Sequence, residues 1–135
     1  MRFDTKIAVV LRDDLLSWQR LNVTAFLVSG LGPAVPELMG QPYVDADDVE
    51  YLPMFRQPVM VFQGGKELLT AAHGRALGRA RLSVFTSDLF ATGHDAANRD
   101  AVRAVRTADL DLAGIAVHGP RNTVDKIVKG ASMHP

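Results

Sequence analysis

The stretch Lys6-Ile7-Ala8-Val9-Val10-Leu11-Arg12-Asp13-Asp14-Leu15 sets five apolar residues in unbroken succession and closes them with three charged ones. A strand with one wet face alternates apolar and polar residues, so a continuous run of this kind reads as a strand covered by helices on both faces. Pro58 to Phe62 and Leu110 to Val117 are almost as continuous, and Arg81 to Phe85 is a fourth short apolar run bounded by charges or turn residues. These are the predicted strands.

Helical spacing fills the intervals. In Leu15 to Leu31 the residues Trp18, Leu21, Ala25 and Val28 fall on one stripe, with Gly30, Gly32 and Pro33 as its stop signal. Lys66 to Arg79 turns Leu68, Leu69, Ala72, Ala76 and Leu77 inward. Ala96 to Arg106 is weaker, with Ala101, Val102 and Val105 inward. A last helix opens at Pro120, buries Val124, Ile127 and Val128, and ends at Gly130 with Lys126 and Lys129 near its negative pole. Strands alternating with helices predict an α/β layer structure with a mixed sheet.

Residues 33 to 56 break this rhythm, and a segment so long needs its own organisation. Tyr43 and Val44 before the Asp45-Ala46-Asp47-Asp48 cluster, and Val49, Tyr51 and Leu52 after it, predict a small hairpin turning at the acidic residues. A lid, a dimer contact and a plain surface excursion are its three readings.

With 135 residues, 47% of them apolar and 22% charged, the chain has the size and composition of one globular domain, 1–135. The absence of Cys removes disulfides and thiolate metal sites. Fifteen basic against fifteen acidic residues give no global pull towards phosphate backbones or anionic lipid, so a nucleic-acid partner needs a local patch. Ile7 to Leu11 is too short for a signal or membrane segment, which needs at least about 7 to 20 apolar residues. A soluble cytoplasmic protein without a membrane partner is expected.

No nucleophile elbow, phosphate loop or His-Glu-x-x-His motif occurs. Gly30-Leu31-Gly32 follows a helix rather than a strand, the wrong context for a pyrophosphate site. His73, His94, His118 and His134 show no ligand spacing, and the Asp45 to Glu50 cluster lacks the register of a calcium loop, so neither a metal nor a cofactor is expected. Arg99, Arg103 and Arg106 make a basic stripe on the third helix, either a solvated face or a contact for RNA phosphates.

Polar groups gather at two predicted strand ends, where open α/β sheets present ligands. One is Arg12-Asp13-Asp14 leading to Ser17, Trp18 and Asn22; the other is Thr86-Ser87-Asp88 leading through Thr92 to His94 and Asp95. Asp14 or Ser17 capping the first helix, and Thr92, His94 or Asp95 capping the third, are the structural alternatives. Asn22 sits inside a helix, where amides are mediocre formers.

The order of elements and the residues Lys6 to Leu15, with Val124-Asp125-Lys126-Ile127 and Gly130 near the end, give a resemblance. The whole chain resembles the bacterial family catalogued as domain of unknown function 2000, whose fold is similar to that of peptidyl-tRNA hydrolase II. That resemblance implies a three-layer α/β/α sandwich with a mixed four-stranded sheet, interrupted by an excursion at about 33–56. The hydrolase's Asp-x-Gly-x-Thr segment corresponds to Asp88 through Thr92, with Phe90 in place of the Gly. Its first-helix lysine falls on Arg20, Leu21 or Asn22, and no Lys occurs between Lys6 and Lys66. Hydrolysis of an aminoacyl ester needs a cation or donors for the oxyanion, and an arginine fork does not replace a lysine.

Two functional readings follow. The first is a pocket-bearing binding or regulatory module that has lost ester hydrolysis, its ligand a small molecule or a tRNA-like one. The second is a hydrolase of peptidyl-tRNA or a related ester or amide, in which Asp88 orients water, Thr92 and Asn22 donate hydrogen bonds and His94 carries the proton. Asp14, Trp18 and Arg20 border the same expected pocket. A structural homodimer joined through the hairpin is a third reading.

Overall fold

The computed structural model describes residues 3–135. Its elements are, in chain order, β1 (Thr5–Arg12), α1 (Ser17–Ala34), a 3-10 turn at Pro36–Leu38, β2 (Tyr43–Val44), β3 (Glu50–Tyr51), β4 (Val59–Gly64), α2 (Lys66–Ala76), β5 (Arg81–Thr86), a 3-10 segment at Ser87–Ala91, α3 (Asp95–Arg103), a third 3-10 turn at Thr107–Asp109, β6 (Leu112–Pro120), α4 (Arg121–Ile127) and β7 (Ser132–Met133).

The predicted β1 run is the centre of a mixed sheet in the order β5-β6-β1-β4-β7, with β1 and β4 parallel and the other neighbours antiparallel. Ile7 to Leu11 are all buried because helices cover both faces. Ile7, Val9 and Leu11 pack under α1, while Ala8 and Val10 pack under α2 and α4. The sheet has five strands where four were expected. The fifth, β7, is a two-residue pairing of Phe62 and Gln63 with Met133 and Ser132, too short to leave a periodic signal.

The phase of α1 differs from the sequence expectation. Its buried residues are Val23, Leu27 and Leu31, whereas Trp18 is 58% and Leu21 75% exposed. The helix carries apolar side chains on nearly every side, so periodicity alone does not choose the face. The sheet chooses it: Gly114 of β6 offers a bare backbone against which Val23 and Leu27 close. Nor does α1 stop at Gly30. It continues through Gly32 and Pro33, and the Val35 amide still donates to the Leu31 carbonyl at 2.9 Å. Val35 and Leu38 are buried with Leu27 and Leu31, and that burial outweighs the weak propensity of two glycines, about 1 kcal/mol each. Helices α2 and α4 keep their expected faces, except that Leu77 lies just past α2 and is exposed. Helix α3 ends at Arg103, short of Val105, and its expected inward residues Ala101 and Val102 are only half-buried.

The expected hairpin is present as β2 and β3. Asp45 ties its turn, accepting from the Asp47 and Val49 amides at 2.9 and 3.1 Å and from the Tyr51 hydroxyl at 2.7 Å. The Tyr51 hydroxyl, then the two amides, hold the Asp45 carboxyl below its usual range. Asp48 takes a left-handed conformation that an Asp tolerates better than most residues. Every residue from 41 to 52 is exposed, so the hairpin is an arm standing off the body.

His73 on α2 and His118 on β6 supply a pH dependence. Burial pushes both imidazoles down from 6.5; at His118 Glu37 opposes this and Arg81 adds to it, and the buried His118 Nε2 has no partner among the described residues. With folded pKa values below the unfolded ones, their contribution is complete above the unfolded pKa of 6.5 and is lost as pH falls through the folded values. Urea midpoints should therefore drop between about pH 7 and pH 5, with a shallower drop in His118→Leu. A midpoint that rises on acidification over that range contradicts this sign.

Candidate functional site

Along α1 the exposed residues Trp18, Asn22 and Phe26 recur every four positions, one helical turn apart, and form a second stripe beside the buried one. Opposite them the chain leaves β5 at Phe85, winds through Leu89 and Phe90 of the 3-10 segment, passes Thr92, Gly93 and His94, and enters α3 at Asp95 and Asn98. Between these walls lies a cavity of about 390 Å³, within the range of small-ligand sites. One wall is a chain of aromatic rings, Trp18 to Phe90 to Phe85 to Phe26, with centroids 6.0, 5.1 and 6.1 Å apart.

Four residues expected at the site meet here: Trp18, Asn22, Thr92 and His94. The Asn22 side chain makes no hydrogen bond to any described residue, so its amide is free for a ligand. His94 is the N-cap of α3, its Nδ1 accepting from the Ala97 amide at 3.2 Å. The neutral ring then carries its proton on Nε2, which donates and has no lone pair with which to accept. Thr92 has one hydroxyl proton and two partners, the Leu89 carbonyl at 2.9 Å and the Asn98 side-chain amide. Both are satisfied when the hydroxyl donates to Leu89 and Asn98 turns its NH₂ to the threonine oxygen. Asp95 pairs with Arg99 one turn along α3.

Asp88, Asp14 and Arg20 do not line this cavity. Asp88 is exposed on the 3-10 segment. Asp14 belongs to an ion network at the end of β1: Arg12 reaches Asp14 at 2.7 Å and Asp111 at 2.8 Å, and Lys66 stands 3.6 Å from Asp111. The Arg12 bond holds the Asp14 carboxyl low. At Asp111 burial acts upward, but bonds from Ser87 and Arg12 and the charges of Lys66 and Arg12 outweigh it and the pKa is lowered. Arg20 folds back on the β1–α1 connection, donating to the Leu15 and Asp13 carbonyls at 3.1 and 2.9 Å. Neither Asp14 nor Ser17 caps α1; Leu16 is the N-cap, and its amide donates to the Gln19 side chain at 2.9 Å.

Sequence reasoning missed Phe26, Phe85 and Asn98. The four-residue spacing of Trp18, Asn22 and Phe26 was the available signal. Chemically, the cavity offers an aromatic wall, the free Asn22 amide and an imidazole donor, and its one carboxylate, Asp95, is paired with Arg99. Among the described residues no cluster of three or more His, Cys, Asp or Glu is arranged to hold a metal, and no helix is long and apolar enough to cross a membrane. A larger hollow of about 750 Å³ at the root of the arm, lined by Val28, Pro33, Met39 and Phe55 among others, has Ser29 as its single polar side chain.

Residues 5–135 match the family described as protein of unknown function DUF2000. Among solved structures the chain is similar to that of Atu0240, a protein of unknown function from Agrobacterium tumefaciens strain C58, at 45% identity over 99% of this chain and 100% of that one, with a TM-score of 0.95. No curated protein matches the chain.

Proposed function

Because the chain belongs to the DUF2000 family, whose description assigns no activity, we propose from the chemistry of its cavity that it is a small-molecule-binding or regulatory module on a peptidyl-tRNA hydrolase II-like fold. The observation carrying this reading is the make-up of the lining: aromatic rings, the Asn22 side-chain amide and the His94 Nε2–H face the cavity, the His94 Nδ1 is taken up by its cap, and Asp88 stands outside. What remains free is suited to recognition. The aromatic wall takes a planar group, and Asn22 and the His94 Nε2–H read its polar edge. The alternative, hydrolysis of peptidyl-tRNA or a related ester or amide, rests on Asp88 orienting water from outside this lining.

Trp18 is the single tryptophan and lies in the wall, so its emission reports occupancy. Titration with aromatic carboxamides, from benzamide to N-acetylphenylalaninamide, should give a saturable change, weakened about tenfold in Asn22→Leu through loss of one hydrogen bond. An N-acetylated aminoacyl-tRNA should not be turned over. Turnover by the wild type that disappears in Asp88→Ala replaces this reading with the hydrolase, and a flat emission response to every probe removes the binding reading.

A further inference from the structure

The arm carries two properties that its own body does not use. Tyr43, Val44, Val49, Tyr51 and Leu52 are exposed on it, Leu52 at 85%. A two-stranded ribbon without a covering layer is marginal in water. The arm is also the acidic part of the chain: Asp45, Asp47, Asp48 and Glu50 lie in it, while no Lys or Arg occurs between Arg20 and Arg56. Since the chain as a whole is neutral, the remainder carries four more basic than acidic residues.

A receiving surface of the opposite character lies along β5. This strand forms one edge of the sheet and pairs only with β6, and no other described residue bonds its backbone. Between that edge and α3 runs a groove of about 410 Å³ with Val84, Phe85, Leu89 and Val102 along it and Arg99 and Arg103 among its lining residues. The pair Arg99 and Asp95 is exposed, a weak link that exchanges readily. An unpaired strand edge beside apolar side chains and arginines fits an apolar ribbon bearing carboxylates, the mode of strand addition.

We infer that the occupant is a second copy of this chain, the arm of each protomer lying in the β5–α3 groove of the other. Reciprocal exchange closes as a two-fold dimer. Charge decides against the simpler arm-to-arm pairing, which would bring two sets of four carboxylates together without a cation in either arm. Size is adequate, because a stable interface takes about 20–30 residues a side, and residues 41–52 with a receiving groove approach that. The groove shares Phe26, Phe85, Leu89, Asp95 and Asn98 with the cavity, so a docked arm also walls the cavity mouth.

Sedimentation equilibrium on the full chain tests this. The wild type should be a dimer at micromolar concentration, and Leu52→Asp and Arg103→Glu should each weaken it at least tenfold, about 1.4 kcal/mol. Both residues are exposed, so the variants should retain the wild-type circular dichroism. Adding Glu50→Arg and Asp47→Arg to Arg99→Glu and Arg103→Glu should restore association. A monomer at every concentration overturns the inference. So does a dimer indifferent to Leu52→Asp, or one that needs Leu52 but neither responds to Arg103→Glu nor is restored by the charge exchange.

Discussion

Leu27→Ala should lower the unfolding free energy by about 3 kcal/mol and the melting temperature by roughly 10 °C, whereas Leu21→Ala should change stability by less than about 0.5 kcal/mol. The two residues lie on the same helix and lose the same atoms. Leu27 is buried in the layer formed by Ile7, Val9, Leu11 and Phe85, and its removal leaves a cavity that neighbours held by the sheet cannot close. Leu21 already stands in solvent. Urea unfolding of the pair therefore measures the rotational phase of α1 directly, and equal losses at both positions would mean that the helix is turned differently.

That phase marks the boundary of what the sequence discloses. The β1 run was legible because five buried residues in succession leave few alternatives, and the arm was legible because Asp45 and its neighbours spell a turn. Five strands replaced four because Ser132 and Met133 pair at an edge without a pattern of their own. In α1, Trp18, Leu21, Ala25 and Val28 make as good a stripe as Val23, Leu27 and Leu31, and only the partner across the interface separates them. At the candidate site the same helix gave Trp18 and Asn22, since polar and aromatic residues near a strand end are visible one at a time. Asp14 and Arg20 attracted attention as charges, but Arg12 and the carbonyls of Asp13 and Leu15 engage them, and such engagement cannot be read from residue type. Phe26 and Asn98 enter the cavity through packing between elements far apart in the chain.

Gly114→Ala should cost about 2 kcal/mol although it adds a single methyl group. A Cβ at this position would stand 2.9 Å from Val23 Cγ1 and 3.1 Å from both Leu11 Cδ2 and Leu27 Cδ1. All three neighbours are buried side chains, so none can retreat into solvent. The site adjoins an irregularity in β6: Phe85 faces Gly114 and Thr86 faces Leu112, leaving Ala113 as the extra residue of a bulge. The bulge turns Ala113 and Gly114 towards α1, and two such small residues let the helix lie close to the sheet. Trimming the neighbour should recover part of the loss, so Gly114→Ala combined with Val23→Ala is expected to cost about 1 kcal/mol less than the sum of the single changes. Because Val23 follows Asn22 on α1, relieving the clash by lifting the helix also moves the free amide and Trp18. A changed Trp18 emission in Gly114→Ala, restored in the double variant, would link this contact behind the helix to the cavity in front of it; strictly additive energies would show that the methyl group is accommodated elsewhere.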